Sequence, residues 1–205
     1  MNDRVARILS WAFQPLVVPL YGFVALWFAP FFYDYAPQVK LKLLGLLSFS
    51  VVLIPVLCYW MLRKTNVIST PQADNRKERL GIYLITLMCY FTAGFILLFS
   101  HVPFYYVAML FTMAVCLLLM AVINVYWKIS AHAMGMGAML SMMLFLLKYH
   151  QVDCPWIYAL WLVLSGFVCS ARLQLNAHTP AQLAAGFLLG FVPLWTIILF
   201  GAIIF

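Results

Sequence analysis

Apolar residues run along this chain in long blocks, and polar residues gather in the short gaps between them. Uncharged stretches cover 8–33, 43–62, 80–127, 129–147, 154–171 and 173–205. A helix needs ~20 apolar residues to cross ~30 Å of hydrocarbon. The stretch 80–127 is 48 residues long, so it must fold back on itself. Ser100-His101-Val102-Pro103 is the natural corner, because proline ends a helix just before itself. Seven candidate helices result, the last starting near His178. Pro15, Pro19, Pro30, Pro55 and Pro193 lie inside or near the ends of spans, where a bundle tolerates kinks. No run alternates polar and apolar residues, which excludes a β-barrel. The expected fold is all-α: one integral membrane helical bundle of six to seven transmembrane helices, occupying 1–205 as a single domain.

Composition supports this reading. The chain is 67% hydrophobic and 8% charged, against about 25% charged residues in a soluble domain. Net charge is +7, yet the twelve Lys and Arg cluster in a few short loops. That pattern fits anionic headgroups or phosphate and speaks against a nucleic-acid face. Five cysteines, an odd number, stand at apolar positions without CxxC spacing, so neither a disulfide framework nor a zinc site is expected. Met134–Met143 is rich in methionine without accompanying carboxylates or cysteines, and reads as a polarizable packing face. The N-terminal apolar run lacks a small-residue cleavage signal and reads as a retained span.

Counting spans sorts the loops by side. Segments 63–80, 127–130 and 171–178 fall on the side of the N-terminus, side A; 34–42, 101–103 and 148–153 fall on side B. Side A carries Arg4, Arg7, Arg63, Lys64, Arg76, Lys77, Arg79, Lys128 and Arg172, and side B carries Lys40, Lys42 and Lys148. The positive-inside rule makes side A cytoplasmic by nine to three. Removing Arg76, Lys77, Arg79, Lys128 and Arg172 as phosphate ligands leaves four to three, which decides nothing.

Three polar motifs share side A. The sharpest is Ala171-Arg172-Leu173-Gln174-Leu175-Asn176-Ala177-His178-Thr179-Pro180-Ala181-Gln182. Pro180 suits the first turn of a helix, and Asn176 or Thr179 suits its cap. His178 then stands at the positive end of the helix dipole, where N–H groups favour an anion. Gln182 at i+4 shares its face and can accept from Nδ1–H, leaving Nε2 as a nucleophile. Arg172 suits bidentate pairing with phosphate oxygens. The competing reading is a histidine that caps or bridges helices.

In the second motif, Trp127-Lys128-Ile129-Ser130-Ala131-His132, Ser130 is a good N-cap and His132 a general-acid candidate. The competing reading is an ordinary cap with small-residue packing. In the first, Asp74-Asn75-Arg76-Lys77-Glu78-Arg79, one helical face can carry Arg76 and Arg79. The competing reading there is a solvated basic loop. Gly186-Phe187-Leu188-Leu189-Gly190 reads as helix packing.

Together the motifs, within 75–182, resemble the type-2 phosphatidic acid phosphatase and haloperoxidase superfamily. The third motif of that family reads Ser-Arg-x5-His-x3-Asp, and Ala171-Arg172, His178 and Gln182 reproduce its spacing. The second reads Pro-Ser-Gly-His, of which Ser130 and His132 are kept. The first reads Lys-x6-Arg-Pro, matched here only by the basic Arg76 and Arg79 face.

The resemblance implies a phosphohistidine on His178, oriented by Gln182, with His132 as acid. It places the phosphate on Arg172, Arg79, Arg76, Lys77, Ser130 and Lys128, and it implies no metal and no cofactor. The implied partners are the bilayer and a lipid phosphate or polyprenyl pyrophosphate, in a bacterial cytoplasmic membrane; a homo-oligomer is left open. Two departures stand out. Gln182 is neutral where the family has a carboxylate, and Ala171 lacks the serine hydroxyl. An analogous Asp-to-amide change in a serine-protease triad costs ~10⁴ in rate. The expected function is therefore lipid phosphate hydrolysis or transfer, with a catalytically weak or silent lipid-phosphate binding or transport protein as the alternative.

Overall fold

The computed structural model describes residues 1–27, 35–69, 76–100, 102, 104–149 and 155–204. Among the described residues there are only helices and their connections. In chain order these are α1 (Asp3–Ala12), α2 (Val18–Trp27), α3 (Pro37–Leu47), α4 (Ile54–Lys64), α5 (Arg76–Leu98), α6 (Phe104–Tyr126), α7 (Ala131–Tyr149), α8 (Pro155–Gln174) and α9 (Pro180–Ile204). A widened π turn, Ser48–Leu53, joins α3 to α4 in one continuous rod. It lies just before Pro55, which has no N–H to donate and crowds the carbonyl of Val51. Ser50 Oγ meanwhile donates to the Leu46 carbonyl at 2.9 Å.

Five helical segments have the length and composition to cross a membrane: Pro37–Lys64, Lys77–Leu98, Tyr106–Tyr126, Pro155–Gln174 and Pro180–Ile197. The shorter apolar helix Ala131–Leu147 stands among them. The chain is an all-α, multi-pass membrane protein. The break between α5 and α6 falls where Pro103 requires it; His101 and Pro103 themselves lie outside the described residues.

The first apolar run departs from expectation. Instead of one span from residue 8, it forms two short helices broken after Ala12. Pro15 and Pro19 lack amide donors, and one turn of irregular backbone separates the helices. Tyr21 closes the corner by donating to the Ala12 carbonyl at 2.7 Å, and Phe13, Tyr21 and Trp161 pack as an aromatic triad. Helix α1 is amphipathic: Ala6 and Ser10 are buried against the bundle, while Val5, Ile8 and Trp11 are exposed. It caps the side-A end of α8, where Gln174 Nε2 donates to Asp3 Oδ1 at 3.0 Å.

The tightest packing in the bundle is between α7 and α9. A Cβ added at Gly190 would lie 2.0 Å from the Met134 carbonyl oxygen, and one at Gly186 would lie 2.5 Å from that of Ser130. On the facing helix, a Cβ at Gly137 would lie 2.2 Å from the Phe187 carbonyl oxygen. Here glycine is required by backbone-to-backbone approach. The Gly186–Gly190 pair thus serves packing, as its spacing suggests.

Candidate functional site

Local backbone chemistry puts His178 opposite Arg172. Helix α8 ends in a Schellman turn. Asn176, in the left-handed region at φ 49°, donates its N–H to the Leu173 carbonyl at 2.9 Å, and Ala177 N–H reaches the Arg172 carbonyl at 3.1 Å. Asn176 is therefore the terminator of α8. Thr179 caps α9, and its partner is Gln182: Gln182 N–H meets Thr179 Oγ1 at 3.4 Å, and Thr179 N–H donates to Gln182 Oε1 at 3.1 Å. This is a capping box. Five residues between Arg172 and His178 are what one helix stop followed by one helix start require.

The same Gln182 Oε1 lies 3.3 Å from His178 Nδ1, and the Lys128 carbonyl lies 3.2 Å from it. Both partners are acceptors, so Nδ1 carries the proton and Nε2 keeps its lone pair. His178 is buried. Burial, followed by the charges of Arg172 and Arg79, pushes its pKa down to about 4, against weaker upward pulls from Lys128 and Gln182. The imidazole is neutral at pH 7, as a nucleophile must be.

Helix α7 supplies the facing wall. Ser130 caps it, with Oγ accepting from Ala133 N–H at 3.4 Å, and its own N–H reaches the Gln182 carbonyl at 3.3 Å. The glycine-lined approach of α7 to α9 thus holds Lys128 against His178. His132, in the first turn of α7, donates from Nε2 to the Ser10 carbonyl of α1 at 3.1 Å. Arg79 is buried at the start of α5 and hydrogen-bonds Tyr83 one turn on.

Arg172, Arg79, Lys128, His132 and His178 all line one cavity of about 960 Å³. Arg7, Ser10 and Asn176 join them at its polar end. Ser130, Gln182 and Lys77 are not among its lining residues. Ser130 and Gln182 lie one step behind the site, as caps and orienters. Lys77 is exposed, and the side chain of Arg76 is outside the described residues. Glu78 binds the preceding loop, accepting from Ser69 N–H at 3.1 Å and Ser69 Oγ at 2.8 Å. Among the described residues no cluster of His, Cys, Asp and Glu could hold a metal ion.

Sequence reasoning missed the contribution of α1. The signal was present: Arg7, Ser10, Trp11 and Gln14 follow helical spacing and all line the cavity, but an uncharged run from residue 8 hid the break.

Residues 124–203 match the model of the PAP2 superfamily. The match covers 80 of the 205 residues, and over this region the chain is similar to that superfamily. The PAP2 match contains the Ser130–His132 and Arg172–Gln182 motifs and leaves Arg79 and α1 outside it. The similarity suggests phosphatase-type activity on phosphate esters. No curated protein and no solved structure matches the chain.

Proposed function

We propose that this protein is a lipid phosphatase or pyrophosphatase of a bacterial cytoplasmic membrane, working through a phosphohistidine on His178. The observation that carries the reading is the pairing of a neutral, Nδ1-protonated His178 with two buried arginines at the polar end of one cavity. Arg172 and Arg79 hold the phosphoryl oxygens and offset charge as it develops. Nε2 of His178 attacks phosphorus. The bond to the leaving oxygen breaks, its electron pair goes with that oxygen, and the oxygen takes a proton. Water then cleaves the P–N bond, releasing inorganic phosphate and the free imidazole. His132 supplies the first proton only as an imidazolium, after Nε2 has left the Ser10 carbonyl and the ring has taken up a second proton, so α1 must yield slightly in the working cycle. A pyrophosphate, with its better leaving group, is the more forgiving substrate for a site lacking the family's carboxylate.

Phosphate release by the purified protein in detergent tests this. The panel is phosphatidic acid, phosphatidylglycerophosphate, polyprenyl pyrophosphate and lipid A phosphates. Release from at least one lipid, lost in His178→Ala, is expected. No release from any of them, with the variant indistinguishable, would overturn the enzyme reading.

Two observations favour a second reading, a catalytically silent lipid-phosphate binder: Gln182 is neutral, and His132 is engaged by α1. Gln182→Glu decides between them, because it keeps the length of the capping side chain and adds the missing charge. A rise in phosphate release argues for an enzyme scaffold. Unchanged silence alongside tight phosphate binding argues for the binder.

A further inference from the structure

Ser10 meets the site with two groups, and only one of them has a partner. The break after Ala12 turns the Gln14 N–H to the Trp11 carbonyl at 3.3 Å, so the Ser10 carbonyl lacks the partner a longer helix would give it. His132 Nε2 donates to that carbonyl at 3.1 Å. The side chain of the same residue is unmatched. Ser10 is 9% exposed, yet its Oγ has no hydrogen-bond partner among the described residues.

Other buried hydroxyls of the chain are treated differently. Ser50, Thr86, Thr112 and Ser165 each donate to the carbonyl four residues back, at 2.7–2.9 Å. Ser130 Oγ accepts from Ala133 N–H as a cap. Ser10 has the Ala6 carbonyl four residues back in the same helix and does not turn to it. Ser141 Oγ is also without a partner, but Ser141 does not line the cavity. Ser10 does, together with Arg172, Arg79, His132 and His178. His132, against which Ser10 lies, feels the charges of both arginines. A buried hydroxyl left unpaired is costly to keep. A ligand oxygen that accepts from it removes a cost the free protein carries.

We propose that Ser10 is a phosphate-binding residue whose hydroxyl donates to a phosphoryl oxygen held by Arg172 and Arg79. The inference rests on the phosphate-site reading for the anion and on Ser10 itself for the donor. Hydroxyl bonds to anionic oxygens are short and strong, so one serine adds appreciably to two arginines. Ala171, beside Arg172, has no hydroxyl and does not line the cavity. The donor therefore comes from α1, outside residues 124–203. Bound phosphate links α1 to α5 and α8, in an enzyme and in a silent binder alike.

The test needs no catalysis. Binding of inorganic phosphate to the full chain in detergent is measured by equilibrium dialysis, and each variant is also unfolded thermally without phosphate. Ser10→Ala should weaken phosphate binding by about tenfold. Its phosphate-free midpoint should stay level or rise, because alanine removes an unpaired group and is the better helix former. Ser141→Ala removes the other unpaired hydroxyl and should change phosphate affinity by less than about twofold. Arg172→Ala should abolish binding.

The role of Ser10 is overturned if Ser10→Ala binds phosphate as the wild type does, or if Ser141→Ala weakens binding equally. It is overturned too if the phosphate-free midpoint of Ser10→Ala falls, since the hydroxyl would then be structural. In each of those cases wild-type binding that is lost in Arg172→Ala leaves the phosphate site standing. A wild type that binds no phosphate removes the site and the role of Ser10 together.

Discussion

The two ends of this chain build the same cavity by opposite means. Helices α7 and α9 meet through glycines and caps, with backbone against backbone; the Lys128 carbonyl holds His178, and main-chain hydrogen bonds end α8 just beyond Arg172. Helices α1 to α5 meet that unit through side chains, and the first apolar run is broken in two. They contribute Arg7, Arg79 and the Ser10 carbonyl that engages His132. The difference teaches where chemistry is fixed and where it is adjustable. A nucleophile must be held within tenths of an ångström, which rigid backbone contacts provide. The rest of the cavity wall, from α1 to α6, is built largely of side chains.

The sharpest way to break that comparison is to remove one polar group from each half. His178→Ala should abolish phosphate release, a loss of about 10⁴-fold or more. Arg172→Ala should cost about 10²- to 10³-fold in kcat, and Arg172→Lys should recover little, since an ammonium lacks the planar fork. Arg79→Ala, from the looser half, should cost less than Arg172→Ala. Steady-state kinetics on one lipid substrate ranks them, and equal losses would remove the distinction between the halves.

Glycine substitutions come next and are read by thermal unfolding in detergent. Gly137→Ala or Gly190→Ala forces a Cβ into a carbonyl of the facing helix and should destabilise by about 1–3 kcal/mol. Gly45→Ala and Gly166→Ala meet nothing within 4 Å and should be neutral or stabilising by about 0.5–1 kcal/mol.

Acid gives a subtler separation. The pKa of His178 is held near 4, below the ordinary histidine value of 6.5. The unfolded chain therefore binds more protons than the folded one between those values, and stability rises with pH there. The stabilisation linked to His178 is complete above about pH 6.5, is lost as pH falls, and is gone below about 4. A pH series of unfolding midpoints should show this fall in wild type and a shallower one in His178→Ala. Thr179→Ala should cost about 1 kcal/mol from the lost α9 cap, seen as a reduced midpoint.

Much of the bundle was legible along the chain. Block lengths located the helices from α3–α4 to α9, because hydrocarbon thickness sets a minimum length that sequence displays directly. The Arg172–His178 spacing was legible because it encodes a local event, a helix stop and a helix start. Gln182 was legible as a partner of His178, but its role in the capping box emerged only with the backbone in place. The break after Ala12 was obscured, because apolar composition is the same for one span and for two short helices; only the prolines and the amphipathic spacing of residues 3–12 distinguish them.

What the sequence determined by itself was therefore local and compositional: an all-α membrane protein, most of its helices after the first apolar run, and motifs sharing one side. What only the tertiary structure decided was which of those groups touch. Lys128 contributes a carbonyl to His178, Ser10 engages His132, and Lys77 stays outside the cavity. These pairings join residues 50 and 122 positions apart. They are set by how closely two glycine-bearing helices approach and by how α1 lies across α8. No periodicity along the chain records either distance, because both arise from packing between helices and not within them.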